Sequence, residues 1–112
     1  MRFARLLAVA AALGAQLGCS VMVHPSDVHV AWGAPRWPDV TLAELSQGRT
    51  EYVDRCAGCH TLVRPETQTP DDWPDLVAEM EDEQGVELSA DERRRIVRYL
   101  MVAAAIPVAP KP

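Results

Sequence analysis

Cys56, Cys59 and His60 form the pattern C-x-x-C-H, which occurs once in this chain of 112 residues. Two cysteines three residues apart at the end of a helix project from the same side of that helix. Their thiols can bond to two points on one edge of a flat ring system, and the adjacent imidazole can face a metal ion at the centre of the ring. This pattern is typical of covalent haem attachment. We therefore predict one covalent haem c, anchored by Cys56 and Cys59, with His60 as the proximal iron ligand.

Three other kinds of site use cysteines at this spacing. A structural zinc site needs a fourth ligand, for which His24 or His29 is available, but the chain lacks a second C-x-x-C pair. A thiol-redox motif follows a strand, and no segment here alternates like a strand. A plain disulfide between Cys56 and Cys59 is the third alternative.

The first 18 residues have the order of a secretory signal peptide. Arg2 and Arg5 form a short basic region, residues 6–13 are an uninterrupted apolar run, and residues 14–18 are small or weakly polar. The apolar run is too short to span a bilayer, which needs about 20 residues. Because haem is attached in this way outside the cytoplasmic membrane, we expect a periplasmic or cell-envelope location.

Leu17, Gly18 and Cys19 resemble the end of a bacterial lipobox, in which a small residue precedes a cysteine that becomes lipidated. That pattern prefers leucine three residues before the cysteine, where this chain has Gln16. Cys19 is otherwise an odd, unpaired cysteine in an exported chain, which favours lipidation over ordinary signal cleavage nearby. We expect a lipid on Cys19 to tether the protein to a membrane surface without inserting it.

Apolar residues at helical spacing predict an all-α domain with three main helices. Capping residues place the ends of these helices. The predicted helices run from about residue 42 to 57, from residue 71 or 72 to before Gly85, and from after Ser89 to before Pro107.

The remaining segments lack a sustained period. Residues 19–40 contain three prolines and one glycine, so we predict a tether and an irregular loop there, in which Trp32 and Trp37 cover an edge of the core. Residues 41–106 form the predicted domain, and residues 107–112 form a proline-rich tail.

Residues 42–102 resemble the cytochrome c family, in particular its small bacterial monohaem domains. The resemblance rests on the CAGCH sequence, on Tyr52 four residues before it, and on the closing helix with Tyr99 and Leu100. It implies a cytochrome c-like fold, with three main helices around one covalently bound haem. In this fold the first and last helices cross, and Tyr52 with Tyr99 or Leu100 provides the matching contact.

Met80 is the predicted second axial ligand. Four apolar residues form one stripe at i, i+3, i+4 and i+7, namely Trp73, Leu76, Val77 and Met80. In the short bacterial cytochromes that this stretch resembles, the methionine ligand follows a tryptophan by seven residues, although Pro74 stands where a polar residue is usual. A core methionine is the ordinary interpretation of such a stripe. The other candidates for the ligand are Met101, Met22, His24 and His29.

Ligation by histidine and methionine fills both axial positions and raises the reduction potential. Such an iron exchanges single electrons with a redox donor and acceptor, so we expect an electron carrier and not an enzyme. One alternative is a haem-containing subunit of a larger oxidoreductase complex. Another is a five-coordinate haem sensor or gas-binding protein, in which Met80 is only a core residue.

The charge pattern narrows the range of partners. The chain has 11 Lys and Arg against 16 Asp and Glu, a formal net charge of −5, which argues against nucleic-acid binding. Residues 71–92 contain ten acidic residues and no basic one. This run is either a solvated helix face or an acidic docking surface for a redox protein with a basic face. We expect membrane contact only through the lipid on Cys19.

Overall fold

The structure, a computed structural model, describes residues 22–56 and 62–108. Within these ranges it contains no strand and four helices: α1 (Asp27–Gly33), α2 (Leu42–Arg55), α3 (Trp73–Gln84) and α4 (Ala90–Ala105). Two short 3₁₀ turns, Pro65–Thr67 and Pro70–Asp72, precede α3. The predicted all-α fold with three main helices, α2 to α4, is confirmed and is compatible with a cytochrome c-like fold.

The main helices begin at the residues that their capping signals predict, and α2 ends at Arg55, two residues before its predicted end. At the start of α2, the Thr41 hydroxyl accepts from the Glu44 backbone N–H at 3.1 Å. At the start of α4, Ser89 and Glu92 form a reciprocal capping box with hydrogen bonds of 3.1 and 3.2 Å. Gly85 ends α3 with a φ of 69°, a left-handed conformation that glycine adopts without strain.

The irregular loop predicted over residues 19–40 is wrong for α1. The Ser26 backbone N–H donates to Nδ1 of His29 at 3.0 Å, so this ring nitrogen carries no proton. Nε2 of His29 therefore carries the proton and donates to the Ile106 carbonyl at 2.9 Å. A helix of seven residues is marginal alone, and this contact with the end of α4 stabilises it.

The centre of the core lies where α2 packs against α4. Gly48 approaches α4 so closely that a Cβ atom there would lie 2.7 Å from the Arg95 carbonyl carbon and 3.0 Å from the Tyr99 Cβ. Tyr52, Tyr99 and Leu100 are fully buried in one cluster, which confirms the predicted packing between the first and last main helices.

This core cluster joins three of the helices. Its buried members are Tyr52, Trp73, Val77, Ile96, Tyr99, Leu100, Met101 and Ala103. Trp32 and Trp37 are half-buried against it, so the prediction that they cover an edge of the core is confirmed. In the part of the chain that the structure describes, no helix has the length and apolar character needed to cross a bilayer.

Candidate haem site

Cys56 lies at the C-terminal cap of α2, where its backbone N–H donates to the Tyr52 carbonyl at 3.1 Å. Its side chain is half-buried and packs against the core cluster. Burial raises the pKa of the Cys56 thiol, so the thiol is protonated at neutral pH. The first predicted anchor is thus held at a helix end on an apolar surface.

The chain contacts the same surface again at Leu62. Cys59 and His60, the predicted second anchor and proximal ligand, lie outside the described residues, as does Cys19, the predicted lipidation site. Leu62, the first described residue after them, is half-buried against the core cluster, as is Cys56. Both ends of the segment that contains Cys59 and His60 are therefore fixed on one apolar cluster.

Two aromatic donors fix the loop that follows the motif. The Tyr52 hydroxyl donates to the Val63 carbonyl at 2.6 Å, and the Trp73 indole N–H donates to the Pro65 carbonyl at 3.0 Å. The two rings meet edge to face, with centroids 6.3 Å apart. Burial raises the pKa of the Tyr52 hydroxyl, which therefore remains a donor at any ordinary pH.

The sequence pattern indicates Tyr52 and Trp73 only as packing residues. Their second role, as donors that hold the loop, has one signal in the sequence: buried tyrosine and tryptophan side chains need hydrogen-bond partners. The identity of those partners depends on where the loop lies in the fold.

Met80 lies on α3, half-buried and in contact with the core cluster. Trp73 and Val77, on the same stripe, are buried and hold this face of α3 on the core. The structure therefore brings the side chains of Met80 and Cys56 to the same apolar cluster. Ligation of iron by Met80 stays a prediction. Met101, the first alternative, is buried within the cluster itself.

The histidine alternatives differ in their surroundings. His29 is fully buried, and both of its ring nitrogens are engaged in hydrogen bonds, so the interpretations that use it as an iron or zinc ligand are wrong. His24 is exposed. Within residues 22–56 and 62–108, no group of three His, Cys, Asp or Glu side chains is placed to hold a metal ion.

A family model for dihaem cytochrome c matches residues 52–109. The matched segment is just over half of the chain and contains the C-x-x-C-H motif, α3 and α4. The chain belongs to the dihaem cytochrome c family. The predicted relation to c-type cytochromes is thereby confirmed, and with it a haem cofactor and a part in electron transfer.

The predicted membership of a monohaem group is not confirmed, because the family model that matches is for dihaem cytochromes. This cytochrome contains the C-x-x-C-H motif once, and Cys19 is its only cysteine outside that motif. No curated protein and no solved structure matches the chain.

The end of α2 in this cytochrome is tied to the start of α4. Arg55, the residue before Cys56, forms a salt bridge with Glu92 at 3.1 Å. Glu92 also accepts from the Ser89 backbone N–H, and this hydrogen bond, with Arg55 adding a smaller effect, holds the pKa of Glu92 below its usual range. Because the Arg55 side chain is half-exposed, this salt bridge adds only a weak contact between the two helix ends.

The arginines of α4 neutralise much of the nearby acidic charge. All four form salt bridges: Arg93 with Glu81, Arg94 with Glu44 and Asp91, Arg95 with Glu51, and Arg98 with Asp39 and Glu44. A different set of acidic side chains is exposed and forms no salt bridge with any described residue: Asp75, Glu79, Asp82, Glu83 and Glu87. Three further exposed carboxylates without a salt bridge to a described residue lie elsewhere, at Asp27, Asp54 and Asp72, so five of these eight carboxylates lie on α3 and at Glu87 after it.

Proposed function

We propose that this cytochrome is an exported carrier of single electrons with one covalent haem. Cys56 and Cys59 would anchor the haem, and His60 and Met80 would bind its iron. The single observation that carries this proposal is the C-x-x-C-H motif inside the matched segment, with its first cysteine on the same apolar cluster as Met80. One haem is proposed for these 112 residues because Cys19, their only other cysteine, cannot form a second pair of anchors.

The residues present suit a covalent haem. Cys56 offers a half-buried thiol at a helix end, and the loop after the motif is held by Tyr52 and Trp73. Met80 offers a soft sulfur ligand from α3, and such a ligand stabilises Fe(II). When bound, the haem supplies a one-electron Fe(III)/Fe(II) couple. The apolar side chains of the core cluster would limit the access of water to the haem, which would also tune that couple.

The proposed partners are redox proteins with a basic docking face. The exposed, unpaired carboxylates of α3 support this proposal, because a negative surface attracts a basic partner and speeds encounter. Their attraction decreases as the salt concentration rises. The same negative charge disfavours nucleic acid, whose binding depends on cations that neutralise phosphates.

The proposed location is the periplasm or cell envelope. Residues 1–18 have the composition of a signal peptide, and Cys19 follows Gly18 in the order of a lipidation site. A lipid on Cys19 is the proposed membrane contact. One acyl chain gives only marginal binding, so stable anchoring requires a second chain or a second membrane contact.

Mass and absorption spectra of the protein, produced in a host that attaches haem c, test this proposal. The mature chain is expected to exceed its amino-acid mass by one haem and by the lipid on Cys19, and the oxidised form is expected to show the weak long-wavelength band of sulfur-ligated iron. Met80→Ala is expected to abolish that band, whereas Leu76→Ala, a matched truncation on the same half-buried stripe, is expected to retain it.

Each of three results would refute part of the proposal. A mass without haem would refute the cofactor, and a mass with two haems would refute the single attachment. A long-wavelength band that survives in Met80→Ala would move the ligand to another residue, with Met101→Leu as the next variant. A wild-type spectrum of five-coordinate iron would favour the sensor or gas-binding alternative.

A further inference from the structure

The chain is part of the fold from Met22 onwards. The Arg49 guanidinium donates to the Met22 carbonyl through two nitrogens, at 3.2 and 3.3 Å. The Tyr99 hydroxyl donates to the Val23 carbonyl at 2.9 Å. The side chains of Met22 and Val23 are half-buried against the core cluster. We call residues 22–26 the N-terminal strap.

The far end of the strap is fixed as well. Ser26 caps α1 together with His29, and His29 is bound to the Ile106 carbonyl at the end of α4. The strap is therefore held at one end on α2 and α4 and at the other end beyond α4. The strap is fixed on the domain along its length and therefore adds no flexible length to a tether that ends at Met22.

The distance from a lipid on Cys19 to the domain is consequently short. Two residues, Ser20 and Val21, lie between Cys19 and Met22, and the three Cα–Cα steps from Cys19 to Met22 span about 11 Å when fully extended. From Arg49, which binds Met22, to Cys56 is seven residues along α2, about 10 Å of helix rise. The tether, the Arg49 side chain and the rise along α2 together give an upper limit on the distance. With a lipid on Cys19 in the membrane, Cys56 would lie within roughly 30 Å of the membrane surface.

We propose that this short tether holds the haem domain against the membrane, where it exchanges electrons with a redox protein embedded in the same membrane. This inference rests on the proposed lipidation of Cys19. In the exchange, one electron leaves the membrane protein and reduces Fe(III) to Fe(II), or passes in the reverse direction, and no atom is transferred. A partner in the same membrane benefits from a high effective concentration, whereas a protein that diffuses freely does not.

A spacer inserted ahead of the strap tests the tether. Twenty Gly and Ser residues between Ser20 and Val21 lengthen the tether from three to 23 Cα–Cα steps and leave the strap intact. Effective concentration falls roughly as the −3/2 power of tether length, so it is expected to fall by about twentyfold. The matched control carries the same twenty residues after Pro112, where the tether is unchanged.

Two measurements on these proteins are decisive. The first is quenching, by the haem, of a headgroup-labelled fluorescent lipid in phosphatidylcholine vesicles that carry the lipidated protein. We expect strong quenching for the wild type and the C-terminal control, and several-fold weaker quenching for the spacer variant. The second is the rate of haem reduction in the cell's own membranes, washed free of soluble protein, which is expected to be at least tenfold slower for the spacer variant.

A variant of the strap gives an independent check. Arg49→Met with Tyr99→Phe removes the donors to Met22 and Val23 and releases the strap, and quenching is expected to fall between the values of the wild type and the spacer variant. Equal quenching by the wild type and the spacer variant would overturn the inference, as would reduction that requires the soluble fraction.

The failure of the lipidation proposal is distinguishable from the failure of this inference. The mass of the N-terminal peptide and sedimentation with membranes report lipidation directly, and Cys19→Ser provides the soluble reference. A mature chain without acyl groups would overturn both proposals. If the lipidated wild type and the lipidated spacer variant quenched equally, only the short tether would be overturned, and the proposed electron carrier would stand.

Discussion

Gly48→Ala is expected to separate α2 from α4 and to destabilise the domain. The added Cβ would lie 2.7 Å from the Arg95 carbonyl carbon and 3.0 Å from the Tyr99 Cβ. Real Cβ atoms essentially never approach a neighbour more closely than 3.0 Å. The obstacle is the backbone of α4, which cannot rotate away as the end of a flexible side chain can, so the two helices must move apart.

The magnitude follows from two opposing effects. Overpacking a close-packed core costs about 3 kcal/mol at the upper end of its usual range. Replacing glycine by alanine inside a helix returns about 1 kcal/mol. We therefore expect a net loss of about 2 kcal/mol in the free energy of unfolding, since the clash with backbone places Gly48 at the severe end.

Urea denaturation, followed by far-ultraviolet circular dichroism, measures this loss. Gly85→Ala is the control, because the same atom added there meets nothing within 4 Å and only the left-handed φ of 69° opposes it. Its expected cost is about 1 kcal/mol. If Gly48→Ala instead raised the free energy of unfolding, helix propensity alone would decide the outcome and the close approach of α2 and α4 would be wrong.

Three further predictions concern single groups. Tyr52→Phe removes the donor to the Val63 carbonyl, so we expect the free energy of unfolding, measured in urea, to fall by about 1 kcal/mol. Proteolysis of the loop after the motif should also be faster, and unchanged cleavage would contradict the role of Tyr52 in holding this loop. His29→Phe removes the hydrogen bond to the end of α4, and hydrogen exchange in α1 is expected to accelerate, whereas exchange equal to wild type would show that packing alone holds the helix. Arg93 holds the pKa of Glu81 below its usual range, so this pair stabilises the protein above the ordinary glutamate pKa and ceases to do so as pH falls through the lowered value. The urea midpoint should therefore fall on acidification, and less steeply in Glu81→Gln; equal slopes would refute the assignment.

The motif and the limits of the main helices could be predicted from the sequence because they depend on residues close together in the chain. Thr41 and Ser89 bind backbone groups three residues away, and Gly85 needs only its own conformational freedom. The C-x-x-C-H motif likewise depends only on residues 56–60, which are neighbours in the chain. It identified a c-type cytochrome, although not the dihaem family to which the chain belongs.

The tertiary structure alone decided the features that join distant parts of the chain. His29 binds a carbonyl 77 residues away, and this contact converts an apparently irregular segment into α1. Gly48 is required only because α4 passes over it, and Tyr52 holds a loop whose position no local pattern specifies. Periodicity shows which face of a helix is buried, but the groups that meet that face are fixed only when the helices pack together.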